Sequence, residues 1–374
     1  MLFETPEITD EEKAVLAEIE DLRRGLSYAL REPRRWTGRL RRASFARAIQ
    51  GSNSIEGYNV GMDDALAVAD GEEPLDADAE TAAALRGYRE AMTYVLQLSD
   101  DPYFNYGAGL VRSLHYMMLS YDLGMSPGRW RAGAIFVEDD ETRQIVYEGP
   151  PAEQVPSLMS ELVDRLRVEE GPGLVRAAMA HLNLAMIHPF RDGNGRMARG
   201  LQTLVLTREG ILRPEFCSIE EYLGKNTPEY YAVLNSVGRG SWHPGNDARP
   251  WVRFALTAHF RQAMILLRRT REIERLWTML EDIREQKSLP DRAIFALFDA
   301  ASGWRVTNTT YRSAAEIEDW TASEDLKRMV QAELLIARGE RRGRHYVGSG
   351  ALFDLYRASR EARAELEDPF TKTA

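Results

Sequence analysis

A short polar loop between two apolar stretches holds the residues of this 374-residue chain that are best suited to chemistry. Its sequence, HPFRDGNGR at positions 188–196, contains one histidine, one carboxylate and two arginines. His188 is the nearby group that can take up a proton near neutral pH, which predicts a general base. Asp192 is the only acid in the loop sequence, and Mg²⁺ is commonly bound by one or two carboxylates together with phosphate oxygens. The loop therefore predicts proton transfer beside a metal-bound phosphate.

The same loop predicts a binding site for phosphates. Gly193 and Gly195 flank Asn194, so the backbone can turn its N–H groups inward around an anion. These groups lead into a helix N-terminus, whose free N–H groups and dipole also favour negative charge. Arg196 and Arg199 nevertheless lie in that first turn, where the dipole disfavours cations, and they share one helix face. An anion with several oxygens explains this arrangement, and phosphates fit.

Two largely apolar helices are predicted to position the loop. In residues 174–186 apolar side chains recur at helical spacing, and Pro189 disfavours helical dihedral angles at His188. Residues 196–206 lack proline and are rich in Leu, Met and Ala, which favours a second helix. The simplest alternative is a helical hairpin with a polar turn and a packed histidine. That alternative suits an isolated Gly-Asn-Gly better than it suits the whole run.

The run resembles the signature of the Fic family, HPFx(D/E)GNGRxxR, at every fixed position, and Arg199 completes it. The resemblance implies a mostly α fold, with a Fic-type helical core, a small β-hairpin flap, an N-terminal inhibitory helix and a C-terminal winged-helix-like module. It also implies AMP transfer from ATP to a Ser, Thr or Tyr hydroxyl of a target protein. In that reaction His188 is the base, Asp192 holds Mg²⁺, and the phosphates lie over residues 193–195. Arg196 and Arg199 then hold the β- and γ-phosphates.

An upstream segment resembles the inhibitory motif (S/T)xxxE(G/N) that accompanies many Fic proteins. Ser52 and Glu56 share one helical face, and Gly57 is suited to end the helix as its C-cap. Read alone, the segment is an ordinary helix end. The resemblance implies that Glu56 pairs with Arg199, which would remove a phosphate ligand and leave the resting protein autoinhibited.

Two further site elements are implied by the same resemblance. Short β-prone runs on either side of residues 138–143 predict a hairpin. In the family this hairpin is a flap that aligns a target peptide by adding a strand, and Ile135 and Val137 fall about where that strand should lie. Tyr231 matches a tyrosine that helps to bound the adenine pocket, with a place in the core as its alternative. Gly238 stands about where related sequences often have Asn.

Three regions are predicted along the chain. They are an N-terminal helical region with the inhibitory motif at 52–57 (1–107), the catalytic core (108–270), and a linking helix with a winged-helix-like domain (271–374). A helix opening at Arg249 is expected to reach the 270s, and residues 272–286 are expected to form the linking helix.

The last region resembles a winged helix, a module that often binds DNA. Its predicted basic hairpin contains four arginines that could contact phosphates, namely Arg338, Arg341, Arg342 and Arg344. However, nine bases balance nine acids in residues 291–350, which makes DNA the less favoured partner. Winged helices appended to Fic domains also mediate protein contacts.

The composition is that of a soluble globular protein, with 44% hydrophobic and 28% charged residues. The single cysteine, Cys217, excludes an intrachain disulfide. No apolar run approaches the ~18 residues of a membrane span, and the acidic N-terminus argues against a signal peptide. A cytoplasmic protein is therefore expected. The net charge of −10 disfavours general nucleic-acid binding.

Two alternatives to AMP transfer stay open. The same site could transfer UMP, phosphocholine or a phosphate group, although Gly193 and Arg196 argue against the kinase-type variant. The chain could instead be a transcriptional regulator whose winged helix binds DNA, with the Fic fold as nucleotide sensor. The expected partners are ATP, an unidentified target protein and the protein itself through self-modification. A homodimer is left open, and no membrane partner is expected.

Overall fold

The computed structural model describes residues 1–30, 34–138, 142–168, 170–210, 216–340, 343–363 and 366–371. Of these residues, 65% are helical, which confirms the predicted mostly α fold. The helices are α1 (Asp10–Ala29), α2 (Thr37–Ile55), α3 (Met62–Ala69), α4 (Ala79–Gln97), α5 (Ala108–Leu119), α6 (Val155–Val168), α7 (Gly173–Ile187), α8 (Asn194–Arg208), α9 (Glu220–Lys225), α10 (Thr227–Gly238), α11 (Arg249–Gln286), α12 (Ile294–Ala301), α13 (Asn308–Ala315), α14 (Asp319–Gln331) and α15 (Gly350–Ser359). The strands are β1 (Phe136–Glu138), β2 (Ile145–Glu148), β3 (Leu335–Arg338) and β4 (His345–Gly348).

The chain forms two compact units. The first consists of Met1–Glu32, Arg41–Met264 and Leu366–Ala374, and the second of Pro33–Leu40 and Ile265–Glu365. None of the described helices combines the length and the apolar character that a membrane crossing requires.

Helices α7 and α8 pack against each other inside the first unit, with α6 on α7 and both α4 and α5 on α8. Nearly every residue of α7 and α8 is buried, as expected of helices that are enclosed on all sides. Small residues allow this close packing. A Cβ on Gly200 of α8, for example, would lie 3.1 Å from the Met118 side chain of α5. The loop between α7 and α8 is thus held by the most enclosed pair of helices in the unit.

The predicted hairpin is confirmed, with slightly different bounds. Strands β1 and β2 are antiparallel, Val137 pairs with Tyr147, and the register shifts between Val137 and Glu138. At the end of β2, Glu148 forms a parallel bridge to Ser241. On the outer side of β1, no further strand pairs with it in the part of the chain that the structure describes. One edge of the hairpin is therefore open to another strand.

The second unit contains α12 to α15 and the antiparallel pair β3 and β4, with an additional bridge between Val306 and Tyr346. Helix α14, which begins at Asp319, packs against both α13 and β3. The two helices expected before this unit are in fact one helix, α11, which continues without a break for 38 residues. No glycine, and no proline after Pro250, interrupts this stretch, so nothing in it ends a helix.

Candidate active site

His188 ends α7 in a left-handed backbone conformation with φ 50° and ψ 59°. Such a conformation costs a residue other than glycine about 1–3 kcal/mol, so surrounding contacts must maintain it. The His188 N–H donates to the carbonyl of Leu184 at 3.0 Å. Its Nδ1 lies 3.1 Å from the carbonyl oxygen of Ala185, and because a carbonyl only accepts, Nδ1 carries the proton. Nε2 of the neutral ring therefore keeps the lone pair that a general base needs.

The surroundings of His188 favour this neutral form. Burial lowers the pKa of the imidazole, while the hydrogen bond to Ala185 and the carboxylates of Glu56 and Asp192 offset part of that effect. A histidine whose pKa lies below its ordinary value is deprotonated at pH 7. The lone pair on Nε2 is accordingly available to accept a proton.

Asn194 closes the loop through its side chain. Its Oδ1 accepts from the Phe190 N–H at 2.9 Å, and its Nδ2 donates to the Phe190 carbonyl at 3.0 Å. Phe190 is fully buried and stacks on His115, with ring centroids 3.7 Å apart and planes within 2°. Since Asn194 is the first residue of α8, its main-chain N–H remains at the open end of the helix. The side chain thus shapes the loop, and the main chain is left for a ligand.

His115 on α5 also contacts the loop between α7 and α8, and nothing in the sequence pattern predicted this role. The Gly128 N–H donates to its Nδ1 at 2.8 Å, so the proton is on Nε2, which donates to the Asp192 carbonyl at 2.9 Å. Burial lowers the pKa of His115 to about 4, which keeps the ring neutral. The next residue, Gly193, has φ 72°, and a Cβ there would lie 2.5 Å from Leu119. A glycine is therefore required at this position.

Arg196 and Arg199 form a buried cationic site at the start of α8. Each side chain is only 1% exposed. Nε and Nη1 of Arg196 and Nη1 of Arg199 form no hydrogen bond to any described residue. A buried donor without a partner costs about 1–3 kcal/mol, and more when it is charged. Several anionic oxygens bound here would satisfy these donors.

The carboxylate of Glu56 lies in this cationic site. Its Oε1 accepts from Nη2 of Arg199 at 2.7 Å, and a Cβ on Gly195 would lie 2.4 Å from the same oxygen. The carboxylate therefore sits against the N-terminus of α8, where the helix dipole favours an anion. Burial alone would raise the pKa of Glu56, but Arg199 and Arg196 together hold it below its usual value. Glu56 is thus ionised in the folded protein.

The end of α2 fixes the position of Glu56. Gly57 has φ 86°, its N–H donates to the Ser54 carbonyl at 3.1 Å, and the Tyr58 N–H donates to the Asn53 carbonyl at 3.0 Å. These two bonds form a Schellman motif, with Gly57 ending the helix as predicted. Glu56 is the last residue before that turn, so its side chain projects from a defined backbone.

Arg199 and two glycines hold α2 against the rest of the first unit. Nε of Arg199 donates to Oγ of Ser52 at 2.8 Å, and Nη2 donates to the Ser52 carbonyl at 2.9 Å. A Cβ on Gly51 would lie 2.4 Å from the Glu220 carbonyl oxygen, and one on Gly224 would lie 2.8 Å from the Cα of Gly51. Backbone therefore packs directly on backbone here, which brings Ser52 and Glu56 to Arg199 together.

Asp192 lies at the exposed side of the cationic site. Its side chain is 42% exposed, and Oδ2 is 3.7 Å from Nη2 of Arg196. Among the described residues, no group of three or more His, Cys, Asp or Glu could hold a metal ion. A single accessible carboxylate beside this cationic site fits Mg²⁺ nevertheless, because this ion readily takes most of its ligands from phosphates and water. The residues fit a Mg²⁺ ion that arrives with a phosphate ligand.

The predicted adenine-pocket and flap residues are all partly accessible. Tyr231 is 47% exposed, and its hydroxyl donates to the carbonyl of Ile55, the residue before Glu56, at 3.3 Å. Ile135 and Val137 are both half-buried; Val137 belongs to β1, and Ile135 precedes it. Tyr231 is therefore not a core residue, and its partly exposed ring lies close to the predicted inhibitory segment.

The lack of a side chain at Gly238 is explained by its neighbours in the structure, which the sequence alone did not reveal. A Cβ at this position would lie 3.1 Å from the Tyr147 ring and 3.3 Å from the sulfur of Met186. The Tyr147 hydroxyl in turn donates to the Met186 carbonyl at 2.9 Å. The glycine thus leaves the space that Tyr147 needs to reach the end of α7, and an asparagine would compete for it.

Comparison with known proteins extends this picture. Residues 107–206 match the sequence model of the Fic/DOC family. A protein adenylyltransferase Fic from Nematostella vectensis is 30% identical over 145 residues, which are 38% of this chain and 29% of that protein. Protein adenylyltransferase fic-1 from Caenorhabditis elegans is 37% identical over 102 residues, 27% of this chain and 18% of that protein. The aligned part of the chain thus spans less than a third of these relatives.

Solved structures agree in fold. The crystal structure of a Fic family protein from Desulfovibrio desulfuricans G20 has a TM-score of 0.61 at 25% sequence identity, over 92% of this chain and 98% of that one. Fic-1 from C. elegans has a TM-score of 0.54 at 23% identity, over 68% and 71% of the two chains. Because the matched residues 107–206 contain the hairpin, α7 and the whole loop that precedes α8, this part of the chain is a Fic domain.

Proposed function

We propose that this protein transfers AMP from ATP to a Ser, Thr or Tyr hydroxyl of a target protein, and that Glu56 holds it inactive. One observation carries the proposal: an ionised carboxylate already lies between the N-terminus of α8 and two buried arginines. A centre that binds one carboxylate and still has unpaired guanidinium N–H groups is suited to a ligand with more anionic oxygens. The adenylyltransferase names of the similar proteins support ATP as that ligand.

In the proposed reaction, each of these side chains has a defined role. Nε2 of His188 accepts the proton of the target hydroxyl while its oxygen attacks the α-phosphorus. The bond between the α-phosphorus and the bridging oxygen breaks, and pyrophosphate leaves. Arg196 and Arg199 bind the β- and γ-phosphates, which orients the triphosphate for in-line attack. General base catalysis of this kind typically contributes 10²–10⁴-fold to the rate.

Two further elements complete the proposed site. Asp192 would hold Mg²⁺, which would neutralise negative charge on the phosphates. The target segment would add to the open edge of β1, so that main-chain hydrogen bonds place its hydroxyl beside His188. Residues of the protein itself could also occupy that edge, which makes self-modification the simplest reaction to measure.

The decisive experiment uses Glu56→Gly protein and ATP labelled in either the α- or the γ-phosphate. We expect the α-label to become protein-bound and the γ-label not to, with Glu56→Gly/His188→Ala as the inactive control. Retention of the γ-label would indicate phosphate transfer instead. Efficient labelling from UTP or CDP-choline, with none from ATP, would assign the same site to another donor.

DNA binding by the second unit finds less support. Arg338 and Arg344 of the predicted basic hairpin are exposed, whereas Arg341 and Arg342 lie outside the described residues. Helix α14 is the helix that would enter a DNA groove. The residues around its start include three exposed acids, Glu316, Glu318 and Asp319. Because these carboxylates would repel phosphates, we propose that the winged-helix-like unit contacts proteins.

A further inference from the structure

The carbonyl groups at the end of α7 are capped by side chains from the two sides of the hairpin. The last carbonyls of a helix lack partners within it and must find donors elsewhere. The Tyr147 hydroxyl donates to Met186 O at 2.9 Å. Arg131 donates from Nη2 to Ile187 O at 3.4 Å and from Nε to His188 O at 2.8 Å. The backbone that carries the catalytic imidazole is thus bound from outside the helix.

The remaining donors of Arg131 bind the hairpin itself. Nη1 donates to Gly133 O at 2.7 Å, Nη2 donates to Pro150 O at 2.5 Å, and the main-chain N–H donates to Pro189 O at 2.9 Å. The residue is 7% exposed, so these bonds are enclosed. A Cβ on Gly149 would lie only 3.3 Å from Nη2, which shows how closely the hairpin approaches. One guanidinium therefore joins both flanks of the hairpin to the end of α7.

We propose that Arg131, assisted by Tyr147, is a positioning residue that sets the orientation of the His188 imidazole and the position of the hairpin together. This inference rests on the proposed function. A guanidinium presents its N–H groups in a fixed plane, so the carbonyls that it binds are held at fixed separations. Rotation of the His188 peptide out of its left-handed conformation would break the bond from Nε. The edge that receives the target and the base that takes its proton therefore share one rigid support.

The expected effect is confined to the chemical step. Proton transfer needs the hydroxyl within about 3 Å of Nε2, and a misplacement near 1 Å can cost on the order of 100-fold in rate. ATP binding depends instead on Arg196 and Arg199, whereas the Arg131 guanidinium donates to backbone carbonyls of the hairpin flanks and of the end of α7. Loss of the planar fork should lower the rate at saturating ATP and leave the ATP concentration for half-maximal rate unchanged.

The test compares matched arginines in the Glu56→Gly protein. Arg131→Lys keeps the charge and removes the fork. Arg208→Lys is the control, because Nη1 of Arg208 also binds three carbonyls, Leu98, Ser99 and Asp101, at 2.8–3.1 Å. Self-modification is measured against ATP concentration, and the melting temperature of each variant is recorded. Tyr147→Phe removes a single hydroxyl and serves as a milder second variant.

We expect Arg131→Lys to lower the saturating rate by about 10- to 100-fold, Tyr147→Phe by a smaller factor, and Arg208→Lys by less than about twofold. Half-saturating ATP should change by less than about threefold in all of them, because the phosphate ligands are intact. Equal rates for Arg131→Lys and its parent would overturn the inference. So would equal losses in the Arg131 and Arg208 variants, since these would indicate general destabilisation.

An independent measurement separates this inference from the proposed function. The carbon-bound ring protons of His188 report its environment by NMR whether or not AMP is transferred. In Arg131→Lys we expect these signals to move or broaden. The signals of His181, which is buried between Gln202 and Tyr230, should stay in place. Unchanged His188 signals would refute positioning by Arg131, whereas an inactive parent with shifted signals would refute only the assigned reaction.

Discussion

Replacing Glu56 tests the inhibitory contact most directly. Glu56→Gly removes the carboxylate that lies against Gly195 and Arg199, yet it keeps the backbone of the Schellman turn, because Gly57 and Tyr58 supply that turn's N–H donors. The vacated space is the anion site itself. We therefore expect ATP to bind productively without any rearrangement of α2.

The size of the expected change in ATP affinity follows from the contact between Glu56 and Arg199. ATP must displace a charge-assisted hydrogen bond of 2.7 Å, and such bonds contribute about 1.5–3 kcal/mol. At about 1.4 kcal/mol per tenfold, this corresponds to roughly one to two orders of magnitude in productive ATP affinity. Repulsion between the carboxylate and a phosphate acts in the same direction. Glu56→Asp should release only part of this effect, because the shorter side chain reaches Arg199 less well.

The assay measures ATP binding by calorimetry and self-modification from α-labelled ATP at matched Mg²⁺. Ser52→Ala is the matched control, since it removes one hydrogen bond to Arg199 but leaves the Glu56 carboxylate in place. Arg199→Ala should not mimic activation, because the phosphate ligand disappears with the inhibitory partner. Equal ATP affinity and equal labelling by wild type and Glu56→Gly would refute the reasoning.

Two other predictions concern the loop. Asp192→Asn should lower the rate and raise the Mg²⁺ concentration needed for half-maximal activity, and an unchanged Mg²⁺ requirement would exclude Asp192 as the ligand. For His115, the pKa of about 4 lies below the ordinary value of ~6.5, so its stabilising contribution is complete above pH 6.5 and is lost as the pH falls towards 4. His115→Phe should therefore reduce, by about one proton, the slope of unfolding free energy against pH in that window. Denaturant titrations at several pH values would show an unaltered slope if His115 were already charged in the fold.

Much of the site follows from local sequence rules. Pro189 ends α7 at the predicted residue, and the two glycines allow the loop to turn into α8. Gly57 ends α2 where its lack of a side chain suggested. Each of these features depends on backbone preferences within a few residues, which a sequence displays directly.

Other parts of the site depend on contacts that no local rule contains. His115 and Arg131 act on the loop across a long separation in sequence, and their partners are backbone carbonyls, which leave no pattern in side-chain types. The length of α11 was missed for a different reason. Residues 272–286 are charged and amphipathic, which suggested a separate linking helix, but such a composition does not end the preceding helix unless a breaker accompanies it.

In the proposed inhibited arrangement, Glu56 is held by well-formed contacts, and this has a consequence for its release. Glu56 satisfies the dipole of α8 and one donor of Arg199, while the close backbone contact between Gly51 and Gly224 holds α2 in place. As an inhibitor, the carboxylate would therefore compete with ATP as a tethered ligand, whose effective concentration for short, flexible links is on the order of mM. Raising the ATP concentration alone is a weak way to displace such a group. A partner that loosens α2 would lower that effective concentration and relieve inhibition without touching any residue that binds ATP.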